Sequence, residues 1–250
     1  MDELMLNKLI VLLLKERAEG LPTSFSNLLE ADLFRALCNI RPAIKASEEL
    51  INLQNKYLQE QTLKRGVKDV STFVYKENIS LYQGDITRLK CDAIVNACNS
   101  QLLGCFTPLH NCIDNIIHTN AGIQVRIDCN DIMKGQNLAN GDVVVTSAYN
   151  LPSNYIFHTV GPIVQNANVS QENMQDLKKC YINSLEKLKE KNLKTIAFCC
   201  ISTGVYGYPK EAASKVAIST VKEWLKDNND IKVIFNVFLD EDREYYERQL

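Results

Sequence analysis

From about residue 72 onward, short β-branched runs alternate with stretches of helical periodicity, and few folds satisfy that order. Strand-like runs lie at 79–82, 93–96, 142–147, 155–160, 195–202 and 232–239. Helical patterns fill 113–133, 173–189 and 211–226, and a last short one covers 241–249. The alternation predicts an α/β layer protein with a mostly parallel or mixed sheet. In such sheets ligands bind beyond the carboxyl ends of the strands. The loops that follow the strands are therefore where chemistry is expected.

Residues 1 to about 65 read as helical throughout. Leu4, Leu6, Leu9, Ile10, Leu13 and Leu14 form a stripe that stops at Gly20. Ser26 is placed to cap a second helix through Leu28, Leu29, Leu33, Phe34 and Leu37, ended by Pro42. Ser47 can cap a third, with Glu48 and Glu49 at its positive end, running through Leu50, Leu53, Tyr57 and Leu58 to Gly66. This divides the chain into a helical extension, residues 1–70, and an α/β domain, residues 71–250.

Composition limits the function classes. At 46% hydrophobic and 23% charged, 250 residues can bury a sizeable core. A net charge of −2 gives no general electrostatic reason to bind nucleic acid or an anionic membrane. Nine cysteines without framework spacing fit a reducing compartment. The apolar run 9–14 is too short for a signal-peptide core, and Asp2 and Glu3 precede it where positive charge belongs. A cytoplasmic protein is expected.

Within this frame, Cys105-Phe-Thr-Pro-Leu-His110-Asn-Cys112 brings two thiols and an imidazole together between a strand and a helix. Three such ligands can converge on Zn²⁺ and leave a position for water or substrate, the arrangement of a catalytic zinc. The same residues also suit buried apolar thiols or a disulfide; with Cys98 or Cys129 as a fourth ligand, the site would be closed and structural. Three loops lie at strand ends nearby. In the first, Gly84 permits a tight turn and Asp85 can accept from a ligand donor or cap a turn. In the second, Asn96 and Asn99 suit sugar hydroxyls or turns. In the third, Ser202, Thr203, Gly204, Val205 and Tyr206 can cradle a phosphate on backbone N–H groups, although the loop is neither a Walker A nor a GxGxxG motif.

The segments GDIT, DAIVNACNS, YIFHTVGP and CCISTGVYGYP, in this order and at these separations, resemble the macrodomain family over about residues 72–250. GCFTPLHNCIDNIIH, together with RALCNIRP in the helical extension, resembles the zinc-containing branch, whose members are protein-ADP-ribosyl hydrolases. The resemblance implies a three-layer α/β/α fold with a mixed central sheet and an ADP-ribose ligand. It puts Asp85 and Ile86 on the adenine, Asn96 and Asn99 near the distal ribose, and Ser202 to Tyr206 around the diphosphate, with Tyr206 against that ribose. Cys105, His110 and Cys112 match the zinc ligands. Asp114 falls where another hydrolytic branch carries a catalytic Asp, so Asp114 and Asn99 are the residues expected at the reaction. The glycine-rich loop of that other branch is replaced here by the zinc loop, so its mechanism does not transfer intact.

The expected protein is a zinc-dependent hydrolase that removes mono-ADP-ribose from modified side chains, with Asp or Glu as the attachment. Asp114 would orient or deprotonate water, against the plainer role of a negative charge in the first turn of a helix. His118 reads as metal support or as a hydrogen-bonded core residue; His158 and Trp224 read as structural. Some relatives accompany a sirtuin-like transferase and a lipoyl-carrier protein, which makes such a carrier a candidate partner. The rivals are a non-catalytic ADP-ribose reader with a structural zinc, a nucleic-acid binder, and a hydrolase of small ADP-ribose derivatives.

Overall fold

A six-stranded sheet organises the α/β part of this computed structural model, which describes residues 2–250. The N-terminal helices are α1 (Asp2–Lys15), α2 (Glu30–Ile40) and α3 (Glu48–Arg65). The strands are β1 (Lys68–Asp69), β2 (Ile79–Gln83), β3 (Leu89–Lys90), β4 (Ala93–Ala97), β5 (Val143–Ser147), β6 (Tyr155–Thr159), β7 (Thr195–Phe198) and β8 (Lys232–Val237). Between and after them lie α4 (Ile113–Ala121), α5 (Gln124–Met133), α6 (Gln171–Glu190), α7 (Lys210–Leu225) and α8 (Asp240–Glu247). The sheet order is β2-β8-β7-β4-β6-β5. All pairings are parallel except the edge strand β5, antiparallel to β6, so the sheet is mixed as expected. β1 and β3, which the sequence patterns did not indicate, form a separate two-stranded parallel pair.

β4 is buried at Ala93, Ile94, Val95 and Asn96, and β8 from Val233 to Val237, as strands covered on both faces must be. α6 packs on α7, and α7 on α8; α4 and α5 contact β4 and β5 and carry the N-terminal helices outside them. The extension has its own core of Leu9, Leu13, Phe34, Leu37, Leu50 and Leu58, with Phe34 meeting Tyr57 edge-on at 5.3 Å. Its junction with the domain is largely polar. Gln54 takes the Ile123 amide at 3.0 Å and donates to Gln124 at 2.7 Å, while Asn55 accepts from Gln124 and from Asn150, both at 2.9 Å.

Three local expectations are corrected. Ser26 does not cap α2: its hydroxyl turns back to the Thr23 carbonyl at 2.9 Å, and Leu29 occupies the cap position without a side-chain bond. The helical pattern over 113–133 breaks into α4 and α5, because Gly122 adopts φ +107° and ends α4. The seventh and eighth strands stop at Phe198 and Val237, short of 202 and 239, which frees the following residues for loops. Ser47 caps α3 as read, accepting from the Leu50 amide at 3.2 Å. No helix among the described residues is long and apolar enough to cross a membrane.

Candidate active site

β4 lies between β6 and β7, and its carboxyl end sets the centre of the site. Asn96 pairs in register with His158 of β6 and has no exposed surface. Its Nδ2 donates to Asp114 Oδ1 at 2.8 Å and lies 3.2 Å from His158 Nδ1. His158 must then accept at Nδ1 and carry its proton on Nε2, which donates to Thr146 Oγ1 at 2.9 Å. Thr146 passes the chain on to the Ser147 carbonyl at 3.1 Å. Asn96, expected near the distal ribose, is enclosed and spends its Nδ2 on Asp114 and His158. Asn99 is partly exposed, and its side chain is committed to its own turn, accepting from the Gln101 amide at 3.1 Å and donating to the Gly104 carbonyl at 3.2 Å.

Burial holds the His158 imidazole down to about 3, so it is neutral in the fold. A histidine depressed in this way contributes stability that is complete above the unfolded value of about 6.5 and lost as the pH falls toward 3. His118, also depressed by burial, acts in the same direction, whereas the raised Asp114 carboxyl opposes it. Denaturant unfolding between pH 7.5 and 5 should show stability falling on acidification. His158→Gln should flatten that slope by up to about 1.4 kcal/mol per pH unit; an unchanged slope would contradict the assignment.

Asp114 sits in the first turn of α4, which Cys112 caps by accepting from the Asn115 amide at 3.4 Å. It is 5% exposed, and burial pushes its carboxyl up to about 6 against the Asn96 hydrogen bond and the Arg126 charge. One turn later, His118 Nε2 lies 3.4 Å from Asp114 Oδ1 without hydrogen-bond alignment and has no hydrogen-bond partner among the described residues. Burial first, then His158 and Arg126, keep that imidazole well below its ordinary value. His118 is thus a neutral buried neighbour of Asp114.

The donor atoms of Cys105, His110 and Cys112 all lie within 4.8 Å of one another, with Cys105 Sγ 3.4 Å from His110 Nδ1. Ligand atoms around a tetrahedral zinc are separated by roughly 3.5–3.8 Å, so a slight closure suits the ion, as does the thiolate–imidazole donor set. Burial, with Cys105 adding, pushes the Cys112 thiol up to about 11; a bound cation would favour the thiolate. Among the described residues no fourth Cys, His, Asp or Glu joins them. Cys98 is buried with its thiol on the Thr159 carbonyl at 3.3 Å, and buried Cys129 lies 3.9 Å from His158 Nε2.

The loop after β7 curls on itself, Gly207 N donating to Gly204 O and Tyr208 N to Ser202 O, both at 3.0 Å. The amides of Gly204, Val205 and Tyr206 have no acceptor among the described residues, and Val205 is 80% exposed. Thr203 turns inward, its hydroxyl donating to the Cys200 carbonyl at 2.9 Å. Tyr206 is half-buried, and its phenol is raised by burial and then by Cys98 and Asp114, which puts it in electrostatic reach of Asp114. Ser202 takes φ +65° and is buried against Gly161, where an added Cβ would stand 2.0 Å from Ser202 Oγ and 2.8 Å from Ile201 Cγ2. Gly161→Ala should therefore displace this loop and, if it holds the ADP-ribose that the sequence resemblance implies, weaken binding of that ligand at least about tenfold, a loss of about 1.4 kcal/mol, read by calorimetry. Unchanged affinity would show that the loop does not hold the ligand.

Asp85 caps a short turn, accepting from Thr87 N at 2.9 Å and Thr87 Oγ1 at 2.6 Å, and ion-pairs with Arg65 of α3 at 3.1 Å. The turn-capping role weighed for it is therefore present. Ile86, expected on the adenine, has its side chain 1% exposed in the core, so its backbone is the part available for a contact there. Sequence reasoning missed Phe238, directly after β8 and 71% exposed. The 83–85 turn is bonded to this segment, Gly84 N to Val237 O at 2.9 Å and Gln83 Nε2 to Phe238 O at 3.3 Å. Its signal was available: an aromatic residue at the carboxyl end of a strand, where an α/β sheet binds ligands.

The model of the Macro domain family matches residues 95–217. A protein-ADP-ribose hydrolase of Staphylococcus aureus (strain MRSA252) is 46% identical over 231 residues, covering 90% of this chain and 86% of that protein. The Oceanobacillus iheyensis macrodomain with ADP aligns with a TM-score of 0.62 at 37% identity, covering 68% of this chain and 87% of the other. The Trypanosoma brucei macrodomain in complex with ADP-ribose aligns with a TM-score of 0.64 at 28% identity, covering 85% of this chain and 94% of the other.

Proposed function

The chain belongs to the macrodomain family, and on that premise we propose that it hydrolyses protein-linked mono-ADP-ribose, releasing ADP-ribose, with zinc held by Cys105, His110 and Cys112. The observation that carries this reading is the position of Asp114. It stands two residues from a metal ligand, is aimed by a buried amide, and lies in electrostatic reach of Tyr206 on the phosphate loop. A module built only to hold ADP-ribose has no need of a buried carboxyl at that point.

In this reading the free amides of Gly204, Val205 and Tyr206 take the diphosphate, and Tyr206 packs on the distal ribose. Asp85 and exposed Phe238 flank the place for the base, the aromatic ring by stacking. Zinc held by Cys105, His110 and Cys112 would supply Lewis-acid chemistry toward a ribose or ester oxygen. Asp114 orients the attacking water and takes its proton, while Asn96 fixes which carboxylate oxygen faces inward. Asn99 stays at the lip of the site as a turn-forming residue that shapes the ribose end. Attachment through Asp or Glu fits this reading, because an ester oxygen is a group that zinc at this site would activate directly.

The test compares release of free ADP-ribose from proteins modified on Asp or Glu, on Ser, and on Arg. Fast release from the acidic linkages alone is expected. Tight ADP-ribose binding with no release from any of the three would replace this reading with a non-catalytic reader.

A further inference from the structure

The RALCNIRP stretch is the one sequence motif the reaction leaves unused, and the structure shows what two of its residues touch. Arg35 of α2 extends one Nη2 to the His110 carbonyl at 2.8 Å and to Asn115 Oδ1 at 3.0 Å. Asn115 has no exposed surface. Its Nδ2 donates to the Cys105 carbonyl at 3.4 Å and the Thr107 carbonyl at 3.0 Å, and its backbone amide donates to Cys112 Sγ at 3.4 Å. One buried asparagine, through its side chain and its backbone amide, and one guanidinium therefore reach all three of Cys105, His110 and Cys112. Asn39, one turn beyond Arg35, is 2% exposed and accepts from the Leu109 amide at 2.9 Å. Leu109 takes φ +57°, a left-handed conformation costly for a leucine, and this bond holds the residue just before His110 in it.

We infer that Arg35 and Asn39 are positioning residues through which the N-terminal extension templates the 105–112 loop for its metal ion. The inference rests on the zinc reading above and adds a role for the extension: the ligand geometry is set from a helix in a separate hydrophobic core. Removing groups that orient ligands in this way typically weakens metal affinity about 10- to 100-fold. Arg41 of the same motif supplies the control. Its guanidinium pairs with Glu16 at 2.7 Å and with the carbonyls of Pro42 and Ile44, and makes no side-chain bond to residues 105–112 among the described residues.

The experiment titrates the metal-free full chain with Zn²⁺ against a chromophoric chelator, with melting temperature and ADP-ribose affinity measured alongside. Arg35→Met and Asn39→Ala should each bind Zn²⁺ about 10- to 100-fold more weakly while ADP-ribose affinity holds. Arg41→Met should lower the melting temperature and leave Zn²⁺ affinity unchanged. Arg35→Lys, which keeps the charge without the fork, decides the point if Arg35→Met does not fold. Wild-type affinity in the Arg35 and Asn39 variants, or equal weakening in Arg41→Met, overturns the inference while the zinc reading stands. A wild-type chain that takes up no Zn²⁺ overturns both.

Discussion

Replacing Asp114 with Ala should slow ADP-ribose release by about 10²–10⁴-fold, the range of a positioned general base, while ADP-ribose binding is largely kept. The carboxyl is buried, its charged form is disfavoured, and among the described residues only Asn96 gives it a hydrogen bond. Two roles compete for it. As a negative charge in the first turn of α4, it would contribute about 0.3–1 kcal/mol to stability and nothing to turnover. As the base, it would cost stability and carry the rate. Asp114→Asn separates them, because it keeps an oxygen to accept from Asn96 and loses only the proton acceptor. The account predicts a fold as stable as wild type, or more so, with turnover as low as in the Ala variant. Near-normal turnover with reduced stability would return Asp114 to a capping charge.

Cys112→Ala should abolish zinc retention and lower kcat by more than about 10³-fold, the loss of several kcal/mol of Lewis-acid stabilisation. Cys112 has a second duty that complicates the variant. Its Sγ caps α4, so Ala also removes a cap worth about 1 kcal/mol. Cys112→Ser is the cleaner change: the hydroxyl still caps the helix, but it is a poor zinc ligand. The two variants should differ in melting temperature and agree in lost zinc and lost turnover. Zinc-free Cys112→Ser with wild-type release would show that the cluster shapes the loop without taking part in the reaction.

The sheet was legible because β4 and β8 are buried on both faces and so read as continuous apolar runs, while helices between them carry one-sided stripes. The break of the 113–133 pattern was harder to see, since the apolar spacing runs through Gly122 and only its backbone conformation ends the helix. Cys105, His110 and Cys112 sit within eight residues of one another, so local spacing was enough to single out the cluster that the fold brings together. The guanidinium that bonds this loop comes from Arg35, 75 and 80 residues from its partners His110 and Asn115, a separation at which no local pattern operates. Asn96 and Ile86 were legible as residues near a strand end; their burial was not, because the sequence does not say which side of a loop is closed by the next element.

The most direct test of the account is removal and return of the metal in the wild-type chain. Release of ADP-ribose from a protein modified on Asp or Glu is followed before chelation, after it, and after restoring one equivalent of Zn²⁺, with ADP-ribose binding measured at each stage. The account predicts that release disappears and returns with zinc while binding persists throughout. Undiminished release by chain verified to be free of metal would contradict it.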